Sequence, residues 1–119
     1  SHEQVFIFSI HSFTPVFKGQ LRSTDIGILY RNNFLKETHL AKKLKGLFQS
    51  KLDPKLKIHF NRPYRGHTDC LLNDVLDSYK NEKRVNGLFL EFNQQLLQRE
   101  SQKINLGKKV GQALLGLSH

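Results

Sequence analysis

The sequence is poor in several residue types, and each shortage excludes a kind of structure. Cys70 is the single cysteine among 119 residues, which excludes an internal disulfide and a cysteine-rich zinc site. No apolar run approaches the roughly 20 residues that a membrane-spanning helix needs, and no signal-peptide pattern is visible. We therefore expect a protein that does not cross a membrane and works in the cytoplasm.

Methionine and tryptophan are absent, whereas phenylalanine supplies nine of the aromatic residues. Without a methionine the sequence does not include a translation start, so we expect a fragment, a processed chain or an excised domain. The length suits one domain, and a domain of this size can bury a real hydrophobic core.

Acidic residues are also scarce, with 10 Asp and Glu against 19 Lys and Arg, and the formal net charge is +9. Such an excess favours anionic partners, but the basic residues are spread along the chain and mainly predict a solvated surface. A nucleic-acid-binding face would interleave exposed aromatic and basic residues. Here the phenylalanines fall mostly within apolar runs, so the sequence gives little support to a small basic nucleic-acid-binding domain.

Short apolar runs predict four strands, and helical stripes of apolar residues predict three helices. Helices that separate apolar strands indicate an α/β sheet with parallel neighbours. The predicted strands are 5–10, 26–30, 56–60 and 85–92, and the predicted helices are 34–50, 69–82 and 101–117. Candidate N-caps are Asn32 or Asn33, Thr68 or Asp69, and Ser101.

Polar side chains follow three of the predicted strands. Ligands of open α/β sheets bind at the carboxyl ends of the strands. Three polar ends in a parallel sheet would therefore meet at one edge and form one site. These ends carry His11 with Ser12, Asn61 with Tyr64, and Glu91 with Asn93.

Glu91 and His11 are the residues with the most chemical interest. A carboxylate within an apolar strand is costly to bury unless it is paired or bound to a metal. Glu91 is therefore a candidate general base or metal-site carboxylate, or else a strand-end residue that points to solvent. A catalytic zinc usually needs three protein ligands. His59 and His67 are further candidates, but spacing alone does not establish a metal site, and Cys70 is interpreted as a bystander.

Three segments of the sequence resemble the motifs of a known family. The segment HSFTPV at 11–16, followed by Gly19, Arg22 and DIGILY at 25–30, is similar to the central motif of the N-formylglutamate amidohydrolases. The resemblance runs from about residue 5 to the final helix. Two further segments match in the right order, NRPY at 61–64 and LEFNQ at 90–94.

The resemblance implies an α/β fold of the zinc-carboxypeptidase and phosphorylase/hydrolase-like type, with a mixed, largely parallel sheet flanked by helices. It implies that His11 is a zinc ligand and that Glu91 is the catalytic carboxylate. Arg22 becomes a candidate clamp for a substrate carboxylate, because its planar guanidinium binds carboxylates bidentately. Further substrate-binding candidates are Ser12, Asn61, Tyr64 and Asn93.

The activity implied is zinc-dependent removal of an N-acyl group, in particular N-formyl, from an acidic amino acid such as N-formylglutamate. Members of the family are longer and carry an N-terminal half that supplies the other metal ligands. We therefore interpret residues 1–119 as a single domain that is the C-terminal part of a longer amidohydrolase domain. The alternative is a catalytically inactive fragment or remnant of that fold.

Overall fold

The fold of this chain, seen in a computed structural model that describes residues 3–66 and 70–118, is α/β. A four-stranded sheet is flanked by helices, and a two-stranded hairpin lies beside it. The strands are β1 (Val5–Phe13), β2 (Val16–Phe17), β3 (Gln20–Leu21), β4 (Ile26–Leu29), β5 (Ile58–Phe60) and β6 (Val85–Asn93). The helices are α1 (Leu35–Lys51), α2 (Leu71–Ser78) and α3 (Glu100–Gly116), and a 3-10 turn spans Gln94–Leu97.

The main sheet is mixed, with two parallel pairs that meet at an antiparallel centre. Its strand order is β1-β6-β4-β5, in which β1 pairs parallel with β6 and β4 pairs parallel with β5. The central pair of β4 and β6 is antiparallel. The predicted α/β sheet is confirmed. The expectation of a mixed, largely parallel sheet flanked by helices is confirmed as well, and the antiparallel pair lies at its centre.

This reversal affects where the polar strand ends point. β1 and β6 run in the same direction, so His11 and Glu91 lie near the same end of the sheet. β5 runs the opposite way, and Asn61 therefore leaves the sheet in the opposite direction. The expectation that three carboxyl ends meet at one edge is wrong, because only two of those strands are parallel to each other.

One face of the sheet packs against α1 and α3 and forms the hydrophobic core. Side chains alternate between the two faces along a strand, so Leu88, Leu90 and Phe92 of β6 all point into this core. The sequence IGIL of β4 is completely buried, as its uninterrupted apolar character predicts. From the helices the core receives Leu40, Ala41, Leu44, Phe48, Val110, Ala113 and Leu117.

The opposite face is covered by α2 and by the loop 61–66. Gly87 of β6 lies against Leu76 of α2, where a Cβ would be crowded. Gly27 of β4 lies under the backbone of the loop, and a Cβ there would overlap the carbonyl of Arg62. Glu91 points to this second face, which therefore contains the candidate chemistry.

The helix starts differ from the predicted caps. α1 begins after Phe34, without a side-chain cap, so neither Asn32 nor Asn33 has the predicted role. Glu37 in the first turn instead accepts a hydrogen bond from the backbone of Arg31 at 3.1 Å. An acidic residue in the first turn also favours the positive end of the helix dipole.

The other two helices also begin at unexpected residues. α3 begins at Glu100 with Arg99 at the N-cap, so Ser101 lies inside the helix and the predicted cap is wrong. At the start of α2, the sulfur of Cys70 accepts a hydrogen bond from the amide of Asn73 at 3.4 Å. The candidate caps Thr68 and Asp69, and the candidate ligand His67, lie outside the described residues. Within the described ranges, no helix combines the length and apolarity required to cross a membrane.

Candidate functional site

The sheet register places His11 beside Glu91. These residues are partners across the parallel pair β1 and β6, and neighbouring strands lie about 4.8 Å apart. The same row continues through Gly27 to His59. Because partners in a row point to the same face, the two predicted key residues lie side by side above the second face.

Glu91 has the environment of a carboxylate that lacks a partner. Glu91 is only 7% exposed, and its Oε2 has no hydrogen-bond partner among residues 3–66 and 70–118. Burial raises the pKa of the Glu91 carboxyl, while the nearby positive charges of His11 and Arg22 act to lower it. A carboxylate with a raised pKa is better matched to proton transfer near neutral pH than an exposed one.

His11 is exposed, and a serine on its own strand orients its ring. The hydroxyl of Ser9, two residues earlier and on the same face, lies 2.7 Å from the ring Nε2. This contact leaves Nδ1 for a ligand. A hydrogen bond to the second ring nitrogen is the usual way in which proteins orient a metal-binding imidazole.

Tyr64 reaches the site through the loop 61–66. The loop leaves β5 at the end of the sheet opposite to His11 and Glu91, and it then turns back across the sheet and passes over Gly27. A cleft of about 240 Å³ lies between this loop and the sheet. Its lining consists of His11, Leu29, Tyr64, Arg65, Cys70, Phe89 and Glu91. Three of the predicted site residues therefore share one cleft.

Arg22 is positioned by the hairpin of β2 and β3. The two residues between these strands, Lys18 and Gly19, both have positive φ, which is the conformation of a type I′ hairpin turn. Beyond the hairpin, the amide of Arg22 donates to the carbonyl of Pro15 at 2.8 Å. The predicted clamp is thus attached to a closed turn.

Aromatic rings surround the guanidinium of Arg22. Its Cζ lies 4.6 Å from the ring centre of Phe17, 5.3 Å from that of Tyr64 and 5.5 Å from that of Phe13. Such cation–π contacts restrain the side chain without neutralising its charge. Since Tyr64 also lines the cleft, the charge is held close to the cleft wall.

The amides of Asn61 and Asn93 bind backbone groups. Oδ1 of Asn61 accepts hydrogen bonds from the amides of Tyr30 and Gly66, which closes the loop 61–66. Asn93 is fully buried, and its side chain bonds the carbonyl of Thr24 and the amide of Gln95. Both side chains therefore have structural contacts beside or below the cleft.

Ser12 points away from Glu91. It alternates with His11 along β1, and its hydroxyl accepts a hydrogen bond from Nε2 of Gln94 at 3.3 Å. The structure therefore brings together His11, Glu91, Tyr64 and Arg22, but it places Ser12 on the other face of the sheet.

Some residues at the site were not singled out from the sequence. Ser9 could have been found, because a residue two positions before His11 in a strand lies on the same face. Arg65 had no comparable signal, because no periodic pattern in a sequence predicts the path of a loop. Cys70, which was interpreted as a bystander, lies in the cleft wall.

The donors present fit zinc in kind but not in number. An imidazole and a carboxylate are both common zinc ligands. Within residues 3–66 and 70–118, however, no three His, Cys, Asp or Glu side chains are grouped so that they could hold a metal ion. The predicted ligand His11 therefore has no complete ligand set around it in this part of the chain.

An α/β fold with a buried, unpartnered carboxylate beside a histidine defines a broad class of candidate enzyme or binding site. No family model matches the chain, and no curated protein matches it either. Among solved structures, the chain is similar to the crystal structure of gene product Atu2144 from Agrobacterium tumefaciens. The TM-score is 0.63 at 24% identity, over 98% of this chain and 44% of that one.

This similarity shows the fold alone. The chain spans less than half the length of the protein that it matches.

Proposed function

We propose that the cleft belongs to a zinc-dependent amidohydrolase that removes an N-acyl group, in particular N-formyl, from an acidic amino acid such as N-formylglutamate. The proposal includes a carboxypeptidase-like fold and, because the single cysteine excludes an internal disulfide, a cytoplasmic location. The main support is the buried Oε2 of Glu91, which has no hydrogen-bond partner among the described residues, on a strand position directly beside His11.

A buried carboxylate without a partner is destabilising and therefore suggests a ligand or a catalytic task. Glu91 would accept a proton from the attacking water and deliver it to the leaving amine. His11 would hold zinc through the ring nitrogen that Ser9 leaves free. When bound, zinc supplies Lewis-acid activation of the amide carbonyl and of water.

Arg22 would recognise the carboxylate of the substrate. Its guanidinium is restrained by rings and remains charged, and a planar guanidinium can donate two parallel hydrogen bonds to a carboxylate. The net charge of +9 adds a general attraction for anions. Tyr64 supplies both a ring against Arg22 and part of the cleft wall.

The second candidate function is a catalytically inactive remnant of the same fold. The incomplete ligand set in the described part of the chain favours it. The two candidates differ in turnover and in the amount of zinc bound, and both quantities can be measured.

The test combines zinc content by mass spectrometry with the rate of amine release from N-formyl-L-glutamate. In a form with a complete ligand set, we expect Glu91→Gln to abolish hydrolysis and to spare zinc, because only the proton acceptor is removed. We expect His11→Ala to lose zinc and activity together. The 119-residue chain should be inactive and should bind zinc below one equivalent.

His39→Ala is the matched control, because His39 is an exposed histidine on α1, outside the cleft. It should behave as the parent protein does in both measurements. Full hydrolysis in Glu91→Gln, or no turnover of N-formyl-L-glutamate by a complete form, would contradict the proposed activity. Stoichiometric zinc in the 119-residue chain would show instead that the ligand set is already complete.

A further inference from the structure

A small pocket lies at the amino ends of β1 and β6, on the sheet face that packs against α1 and α3. Phe6 of β1 and Asn86 of β6, which are partners in the sheet, both line it. His11 and Glu91 lie further along the same two strands, roughly 16 Å away by strand rise. They point to the opposite face, because side chains alternate along a strand. The pocket is therefore separate from the cleft of Glu91.

Positively charged side chains converge on this pocket from two segments of the chain. Lys36, His39 and Lys43 follow one another along α1 at a spacing that places them on one side of the helix. Lys83 and Arg84 come from the turn before β6. Among residues 3–66 and 70–118, the lining of the pocket includes four cationic side chains and no carboxylate.

Backbone carbonyls hold two of these lysines in position. Nζ of Lys36 donates hydrogen bonds to the carbonyls of Tyr79 at 3.3 Å and Glu82 at 3.2 Å. Nζ of Lys43 donates to the carbonyl of Leu117 at 3.0 Å. A carbonyl carries no net charge, so these contacts orient the ammonium groups and leave their charge in place. Groups that are already oriented lose less side-chain entropy when a ligand binds.

One carboxylate near the pocket offsets part of this charge. Glu82 forms an ion pair with Arg84 at 3.1 Å. Hydrogen bonds from Arg84 are the main cause that lowers the pKa of the Glu82 carboxyl, and the charge of Lys36 adds to them. The lysines of the lining add further positive charge to that of this pair. A cleft lined by one sign of charge concentrates ions of the opposite sign.

We propose that this pocket binds a diphosphate group, either as the free ion or as part of a nucleotide. The pocket has a volume of about 220 Å³, which is below the roughly 300–1,000 Å³ of pockets for drug-sized ligands and suits a compact anion. A phosphate group carries roughly 1.5–2 negative charges at pH 7, so a diphosphate matches several lysines better than a single carboxylate does. Lysine ammonium groups commonly bind phosphate as point charges. The proposal does not depend on the proposed function, because the two sites share no residue.

The test is isothermal titration calorimetry of the 119-residue chain with pyrophosphate at low ionic strength. We expect one site for each chain and an affinity that falls as salt is added. Acetate, which has one carboxylate, should bind at least tenfold more weakly. Adenosine diphosphate distinguishes the two sources of the group. An affinity equal to that of pyrophosphate would identify the free ion as sufficient, and a tighter affinity would identify a nucleotide.

Matched lysine variants locate the site. Lys43→Gln and Lys83→Gln should each weaken pyrophosphate binding about three- to tenfold, because each removes one positive charge from the pocket. Lys42→Gln is the control, because Lys42 is an exposed neighbour of Lys43 on α1 that does not line the pocket. It removes the same charge and should change the affinity by less than twofold, as roughly expected for a screened surface charge. Circular dichroism and thermal melts would establish that all three variants fold, which matters most for Lys43 because it also bonds the end of α3.

Three outcomes would overturn the proposal. One is that the parent chain shows no binding of pyrophosphate. Another is that Lys42→Gln weakens binding as much as Lys43→Gln and Lys83→Gln do, since the attraction would then come from the net charge of +9 and not from the pocket. The third is that acetate binds as tightly as pyrophosphate, which would exclude recognition of a multiply charged group.

Discussion

Two buried carboxylates in this molecule differ in their hydrogen-bond partners. Glu37 at the start of α1 is 2% exposed and Glu91 in β6 is 7% exposed. The Glu37 carboxylate accepts hydrogen bonds from the backbone amide and the guanidinium of Arg31, the shortest at 2.7 Å. The Oε2 of Glu91 has no such partner in the described part of the chain.

The difference separates a structural carboxylate from a functional candidate. Arg31 also bonds Asp77 at 2.7 Å and stacks on Phe34 at 4.1 Å, so the Glu37 region connects the end of β4 with α1 and α2. Buried charges are normally satisfied by partners of this kind. Glu91 is buried as well, but its Oε2 has no partner of this kind among residues 3–66 and 70–118.

The largest effect should follow from breaking the satisfied pair. Glu37→Gln leaves the buried Arg31 without its main counter-charge, and removing one partner of a buried pair destabilises by about 3–5 kcal/mol. Urea unfolding followed by circular dichroism measures this change. Glu82→Gln is the control, because Glu82 pairs with Arg84 on the surface, where we expect no measurable change. Equal stabilities of Glu37→Gln and the parent would remove the contrast with Glu91.

The next effect concerns the cation that lies near Glu91. Arg22→Lys keeps the charge but loses the planar fork, and a charge-assisted bidentate contact is worth about 1.5–3 kcal/mol. In an active form we expect a ten- to hundredfold weaker interaction with N-formyl-L-glutamate and unchanged zinc affinity. Arg84→Lys on the surface is the matched control. Unchanged kinetics on the acidic substrate would refute the role of Arg22.

The sequence predicted the elements of the fold better than their directions. The run IGIL and the stripe of Leu40, Leu44 and Phe48 predict a buried strand and a helix, because apolar periods reflect burial directly. Nothing in such a period distinguishes a parallel from an antiparallel neighbour. The reversal between β4 and β6 depends on packing between distant segments, and so the direction of β5 was predicted incorrectly.

The site was predicted in part for the same reason. His11 and Glu91 each interrupt an apolar strand, a local signal that survives any arrangement of the sheet. Tyr64 reaches the cleft by a different route from the one expected, through a loop that crosses the sheet above Gly27. Asn61 and Asn93 resembled site residues in the sequence, but their amides bond backbone groups, and such contacts depend on tertiary packing that no local pattern predicts.

A smaller effect should come from neutralising the unpartnered carboxylate. Because burial raises the folded-state pKa of Glu91, the unfolded chain releases this proton at lower pH than the folded chain does. The charged carboxylate therefore destabilises the folded state at a pH above the folded-state pKa. It has no such effect below the unfolded-state pKa of about 4.3, where both states carry the proton. We expect Glu91→Gln to stabilise the protein at pH 7 by about 0.5–2 kcal/mol, as other changes at strained functional positions do.

Thermal or urea unfolding of Glu91→Gln and the parent at pH 7 and near pH 4 measures this difference. The advantage of the variant should shrink as the pH falls, because the parent's carboxyl becomes protonated. A variant that is less stable than the parent at pH 7 would show that Glu91 has a stabilising partner after all. The contrast between Glu37 and Glu91 would then disappear.

The smallest effect concerns His59, a half-buried residue that lies in register with Gly27 and Glu91 across the sheet. Its Nδ1 lies 2.8 Å from the hydroxyl of Thr24. Burial lowers the pKa of His59, and the positive charges of Arg62, Lys45 and Lys57 lower it further against the opposing effect of Asp25. The folded protein therefore keeps this imidazole neutral at a pH where the unfolded chain binds a proton. Its contribution to stability is present above the unfolded pKa of about 6.5 and is lost as the pH falls through that value towards the lower folded-state pKa.

His59→Asn removes the titration and keeps a polar atom close to the position of Nδ1, so it should preserve the contact with Thr24. We expect the parent to lose stability between pH 7 and pH 5 more steeply than this variant does, as measured by urea unfolding at each pH. His39→Asn, on the exposed side of α1, is the matched control. Identical pH slopes for the parent and His59→Asn would mean that His59 titrates alike in both states. Of the three groups compared, Glu37 would then be satisfied by an ion pair, the half-buried His59 would leave the pH dependence of stability unchanged, and Glu91 would be the one whose Oε2 has no partner among the described residues.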